Sequence, residues 1–169
     1  AGATATTLWK SGNRATRGVL MILTIWYLAI CVLTYPNYLS YFNELVGGAK
    51  NGHKVLIDSN LDWGQDLKGL KRWLDDNGVK KVRMLYFGHI FPEAYGIDAS
   101  YEPGKWFTFE PPEAGGPQYL VISATLLYGA EVLLEGQERE IAIAYRNKTP
   151  AAVINNTLYV YKLGMSRQR

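Results

Sequence analysis

The sequence predicts an α/β protein, with one N-terminal transmembrane helix followed by a small three-layer α/β domain whose sheet is mainly parallel and has about four strands. Three observations predict it. From Gly18 to Asn43 there are 26 consecutive residues without a formal charge. Beyond them, an apolar run, an amphipathic helical stretch and a second apolar run give strand, helix, strand, the order of a right-handed parallel unit. The charge is also partitioned. Lys10, Arg14 and Arg17 account for the whole net charge of +3, and the remaining 152 residues carry 15 basic and 15 acidic side chains.

The apolar core of the first element is Gly18 to Tyr35, 18 residues that end at Pro36. About 18 to 20 helical residues cross the roughly 30 Å hydrocarbon layer. A buried helix of a soluble protein would carry a polar face, and a cleaved signal would be shorter and followed by small residues. The run continues instead into Tyr35-Pro36-Asn37-Tyr38. A retained span at 18–35 is expected, after a basic cytoplasmic flank at 1–17. The positive-inside bias then places the following domain across the membrane, which in a bacterium is the periplasm. Cys31 is the single cysteine and lies inside the span, so disulfide frameworks and cysteine-rich zinc sites are excluded. A +3 chain of this kind gives no reason to expect nucleic acid as a partner.

Residues 36–48 read as an interfacial amphipathic segment. Tyr35, Tyr38, Leu39 and Phe42 fall at helical spacing on one face, beside Tyr41, and amphipathic aromatics favour the headgroup level. A short helix is expected there, ended by Gly47-Gly48. The domain proper is expected at 49–165, with 166–169 as a tail. Residues 53–58 read as a short buried strand, and Asp62 to Asn77 as a helix with a stripe of Trp63, Leu67, Leu70 and Leu74 closed by Asn77-Gly78. Val82 to Phe87 reads as the second strand, 92–117 as a Pro/Gly-rich loop, and Tyr119 to Ser123 as the third strand. A helical stretch over 126–146 breaks near Gly136, and Thr157 to Leu163 is the last strand.

The densest polar cluster is Asp58, Asn60, Asp62, Trp63, Gln65 and Asp66, where the first expected strand meets the helix. Ligands of open α/β sheets bind outside the carboxyl ends of strands. Carboxylates and amides around an indole suit sugar hydroxyls. The same residues also suit helix capping and the helix dipole, and both readings stand. The spacing Asp58-x-Asn60-x-Asp62 resembles the start of a calcium loop, but Trp63 replaces the turn glycine and Gly69 the bidentate acid. His89 and Glu93 follow the second strand and could act as acid and base or as two metal ligands, although Pro92 interrupts any helix between them. No catalytic triad, phosphate loop or CxxC motif is present, so no catalytic residue, metal or cofactor is assigned. Asn147-Lys148-Thr149 and Asn155-Asn156-Thr157 match the glycosylation tripeptide, a pattern short enough to arise by chance.

The segment YPNYLSYFNELVGGAKNGHKVLIDSNLDWGQDLKGLKRWL, Tyr35 to Leu74, resembles the C-terminal region of bacterial family 39, protein-mannosyltransferase-like glycosyltransferases. YFGHIFPEAYGI, QYLVISATLLYG and TLYVYKL resemble the same region in order, so the likeness spans roughly Trp26 to Leu163. The family consists of multi-span enzymes that use polyprenyl-phosphate sugars and carry their catalytic acid in an early periplasmic loop. No position of this chain matches that catalytic motif. The resemblance therefore implies the last transmembrane helix and periplasmic domain of such an enzyme, without its catalytic part.

Together these readings lead to a non-catalytic, membrane-anchored periplasmic module of the bacterial inner membrane. It is expected to be an accessory or scaffold subunit of a larger membrane complex, of respiratory or photosynthetic type for example. The alternative is a fragment or split part of a polyprenyl-phosphate-sugar-dependent glycosyltransferase. A third reading is a small hydrolase or sugar-binding protein using Asp58, Asp62, His89 and Glu93. Expected partners are the lipid bilayer and other membrane-protein subunits, with a sugar or lipid-linked sugar as candidate ligand.

Overall fold

The computed structural model describes residues 2–57, 61, 63–100 and 118–163. The chain divides into two units, Ala1–Tyr38 and Leu39–Arg169.

In the first unit, α1 (Gly2–Ser11) and α2 (Arg14–Thr34) are joined by Gly12-Asn13. Asn13 caps α2, its Oδ1 accepting from the Thr16 amide at 2.9 Å. A Cβ at Gly12 would meet the Leu8 carbonyl and lie 2.7 Å from Thr16 Cγ2, so the reversal requires glycine. α1 folds back along α2, with Trp9 against Arg17 and Ala5 and Thr6 facing Leu20, Met21, Thr24 and Ile25. The expected flank is thus largely helical, and the apolar helix begins at Arg14 rather than Gly18. With 21 residues and no buried side chain, α2 is long and apolar enough to cross a membrane. It stops before Pro36. Tyr35 and Tyr38 follow as exposed rings 6.2 Å apart, edge to face, and the Tyr38 hydroxyl donates to the Cys31 carbonyl at 3.0 Å.

The second unit departs from expectation at its start. There is no helix over 39–43; a single 3-10 turn, Glu44–Val46, ends at Gly47, whose φ of 86° matches the expected stop. Tyr41 is exposed, whereas Phe42 covers Gly52 and packs on the core instead of facing outward. The expected first strand is absent among the described residues 53–57. Ala49–Lys54 is a 3-10 segment, and the amides of Val55 and Leu56 both donate to the Gly52 carbonyl, at 2.9 and 3.0 Å. The donors a sheet ladder needs are spent within the turn.

α3 (Leu67–Asp76) buries Leu67, Leu70 and Leu74, three of the four stripe residues expected. Trp63 is not the fourth. Gly64 at φ 81° breaks the helix before it reaches the tryptophan. The stop is as read: Gly78 is left-handed, the Val79 amide donates to the Leu74 carbonyl at 2.9 Å, and the Gly78 amide donates to the Asp75 carbonyl at 3.1 Å.

β1 (Lys81–Leu85) lies between β2 (Asp98–Ser100) and β3 (Tyr119–Ser123) and runs parallel to both, with Lys81 opposite Asp98 and Arg83 opposite Leu120. β4 (Ala152–Ile154) and β5 (Leu158–Lys162) complete a five-stranded sheet of order β2-β1-β3-β5-β4. β5 runs antiparallel to β3 and to β4. The sheet is therefore mixed rather than mainly parallel, and two short strands, β2 and β4, add to the expected set. The cause lies at Asn155 and Asn156, both at positive φ (48° and 66°), with the Thr157 amide returning to the Ile154 carbonyl at 3.0 Å. A turn this tight joins only antiparallel strands.

The three layers hold. Val82, Met84, Val121, Leu158 and Val160 pack with the α3 stripe on one face. Leu85, Leu120, Ile122, Tyr159 and Tyr161 pack on the other against α4 (Ala124–Tyr128), α5 (Ala130–Leu133) and α6 (Gly136–Arg146). Alternate residues of β3 and β5, and the buried apolar residues of β1, thus divide between opposite helical layers. Gly136, at φ 56°, makes the expected break. Arg146 ties this layer together: its guanidinium makes two 2.7 Å bonds to Glu131, and its Nε donates to the Leu127 carbonyl at 2.8 Å.

These bonds from Arg146 hold the Glu131 carboxyl at about 2, so the pair contributes stability above the ordinary glutamate range and loses it as pH falls through about 2. Glu131→Gln is expected to lower the melting temperature slightly at neutral pH, with the difference from wild type closing as pH drops from about 5 toward about 2. A pH series of thermal melts checks this; a gap that widens in acid would contradict the assigned pairing.

Candidate functional site

The carboxyl ends of β1 and β3 lie side by side because the strands are parallel. Ser123 stitches them: its Oγ accepts from the Phe87 amide at 2.6 Å and donates to the Leu85 carbonyl at 3.2 Å. Tyr86, only 8% exposed, then places its hydroxyl where a Cβ of either Gly64 or Gly88 would stand. Two glycines thus let the segment around Gly64 close over the end of β1.

That segment is held at both ends. Leu61 is buried in the core on the α4–α6 side. Gln65 turns back along the loop, its Oε1 accepting from the Trp63 amide at 2.7 Å and its Nε2 donating to the Leu61 carbonyl at 3.4 Å. Asp66, 5% exposed, sits at the start of α3 but does not cap it with its side chain. One carboxylate oxygen accepts from Asn155 Nδ2 at 2.7 Å and the other from Thr157 Oγ1 at 2.5 Å. Burial pushes the Asp66 carboxyl above its ordinary value, and the bonds from Thr157 and Asn155 pull it back only in part.

The closed loop leaves Trp63 outside, 44% exposed, stacked on His89 with ring centroids 5.9 Å apart and 29° between planes. His89 is itself exposed, just past the end of β1. An indole face beside an imidazole takes the apolar face of a ring-shaped ligand and adds polar atoms at its edge. The structure thus brings together Trp63 and His89, with Gln65 supporting the loop beneath them. Asp66 belongs to the scaffold, not to this ledge. Glu93 stands exposed on a separate 3-10 turn, Pro92–Tyr95, started by the proline. Asp58, Asn60 and Asp62 lie outside the described residues. Among the described residues no three His, Cys, Asp or Glu side chains are grouped as a metal site.

The sequence reading missed Tyr86, Ser123, Asn155 and Thr157, which build the loop's support. Asn155-Asn156 carried a turn signal that could have marked the hairpin. It also missed His53, whose ring stacks on Tyr128 at 3.6 Å and 13°, with burial holding its pKa below the usual range. Comparison with family models, curated proteins and solved structures finds no match to this chain.

Proposed function

We propose that the chain is a membrane-anchored, non-catalytic α/β module that works as an accessory or scaffold part of a larger membrane-protein assembly. The observation that carries this reading is α2, a 21-residue apolar helix with no buried residue, attached to a domain with its own two-faced core. Such a helix needs lipid or other helices around it. Lys10 before it and Arg14 and Arg17 in its first turn favour a cytoplasmic N-terminus and a periplasmic domain.

Extracted from native membranes in mild detergent, the chain is expected to co-purify with a stoichiometric membrane-protein partner. An impermeant maleimide is expected to label a Lys148→Cys variant from the periplasmic side of intact cells. Recovery as a lone species, or release of the chain by alkaline carbonate, would end this reading.

A second reading names the assembly as a polyprenyl-phosphate-sugar-dependent glycosyltransferase. It is supported by the position of Trp63 and Gln65, which belong to the DSNLDWGQDL stretch of the family resemblance and contribute to the exposed ledge with His89. In that case the spans and catalytic acid come from elsewhere in the assembly, and Trp63→Ala raises the KM for the sugar-bearing substrate with kcat little changed. An unchanged KM would remove the ledge from substrate contact.

A further inference from the structure

We propose that the groove between α1 and α2, together with the basic turn at its end, binds an anionic phospholipid of the surrounding bilayer. The inference rests on the reading of α2 as membrane-embedded. The groove has a cavity volume of about 570 Å³ and is walled by Ala5, Thr6 and Trp9 on one helix and by Leu20, Met21 and Ile25 among others on the second. This lies in the size range of small-molecule sites.

Its wall is apolar in effect as well as in composition. The Thr6 hydroxyl donates to the Gly2 carbonyl at 2.9 Å and the Thr24 hydroxyl to the Leu20 carbonyl at 2.8 Å, so both are satisfied within their own helices. Along these walls a polar ligand would find only the lone pairs of those two hydroxyls, whereas an acyl chain needs no polar partner.

The end of the groove is the opposite. Arg17 Nε donates to the Trp9 carbonyl at 3.0 Å and its guanidinium lies 6.0 Å from the Trp9 ring centre, which fixes a cation at the groove's mouth. Lys10 and Arg14 flank the same two-residue turn, and no acidic residue precedes Glu44. An amphiphile with a phosphate head and an apolar tail matches this polarity; a free anion matches only the turn, and a zwitterionic lipid only the groove. Trp9 adds an amphipathic ring at the level where headgroups lie.

The test is native mass spectrometry of the full chain released from nanodiscs of equal phosphatidylglycerol and phosphatidylcholine. The wild-type chain is expected to retain phosphatidylglycerol over phosphatidylcholine by at least about five-fold, the worth of roughly one basic side chain at a membrane surface. Lys10→Gln with Arg17→Gln is expected to bring the two lipids to parity. Ala5→Trp and Thr24→Trp, which fill the groove from opposite walls and keep every charge, are expected to lose the retained lipid as well. Preference that survives both tryptophan variants would mean surface attraction only and overturn the site. Equal retention of both lipids by the wild type would overturn it too, as would displacement by about 10 mM inorganic phosphate, which would make it a site for the free anion. Release of the chain from membranes by carbonate would refute the embedded helix itself, an outcome separate from insertion without lipid preference.

Discussion

Gly64→Ala is expected to destabilise the folded domain by about 2–6 kcal/mol. A β-carbon at φ 81° costs about 1–3 kcal/mol in backbone strain, and forcing it into the buried Tyr86 hydroxyl costs about 1–3 more. Against a typical total of about 5–15 kcal/mol this is a large fraction. Gly88→Ala provides the internal control. Its Cβ would lie 2.5 Å from Tyr86 Cζ, but its backbone carries no left-handed strain. Tyr86→Phe removes the hydroxyl but keeps Cζ, so adding it is expected to recover part of the packing loss in the Gly64 variant, where the hydroxyl is the nearest atom, and little in the Gly88 variant, where Cζ still lies 2.5 Å away. Urea melts of the full chain in detergent, followed by near-ultraviolet circular dichroism, read all four. A Gly64→Ala chain as stable as wild type would show that the loop does not close over Tyr86.

Asp66→Ala is expected to cost about 2–4 kcal/mol, because the Asn155 amide and the Thr157 hydroxyl are left without their acceptors in a buried place. Asp66→Asn keeps the shape and is expected to cost much less. It also isolates the charge. The folded-state pKa of Asp66 is raised by burial, so the carboxyl favours folding while protonated and loses that contribution as pH climbs through its raised value. As pH rises above the ordinary aspartate range, up through the raised value, the wild type should therefore lose stability relative to Asp66→Asn. Paired denaturation curves across that range measure the difference, and a difference that does not move with pH would remove the burial argument.

What could be read in the chain beforehand was whatever is decided locally. Leu67, Leu70 and Leu74 recur at helical spacing, Gly78 and Gly136 supply left-handed positions, and Tyr119 to Ser123 is a short apolar run; each appears where read. Val55 to Ile57 shows the limit. Their β-branched and apolar side chains suit a strand, but the Gly52 carbonyl captures the amides of Val55 and Leu56 first. Pairing direction is likewise invisible in an apolar run and follows from the two asparagines at the hairpin tip. The polar cluster was found, yet its division of labour was not. Asp66 could be read as a helix-start residue or a ligand group, and only its partners, 89 and 91 positions later in the chain, assign it to the scaffold. Nothing near Asp66 in the sequence announces them.

That long-range tie has a consequence for the order in which the protein is made. A ribosome delivers Trp63 and Asp66 well before Asn155 and Thr157, and α3 can form its local turns at once. The ledge cannot be locked, however, until the last hairpin has been synthesised and has paired with β3, since only then are both oxygens of Asp66 engaged. A nascent chain would thus carry an unfinished ledge through most of its translation. Pulse-labelled chains stalled before Asn155 should leave the Gly64 loop open to protease, and chains released after Lys162 should protect it.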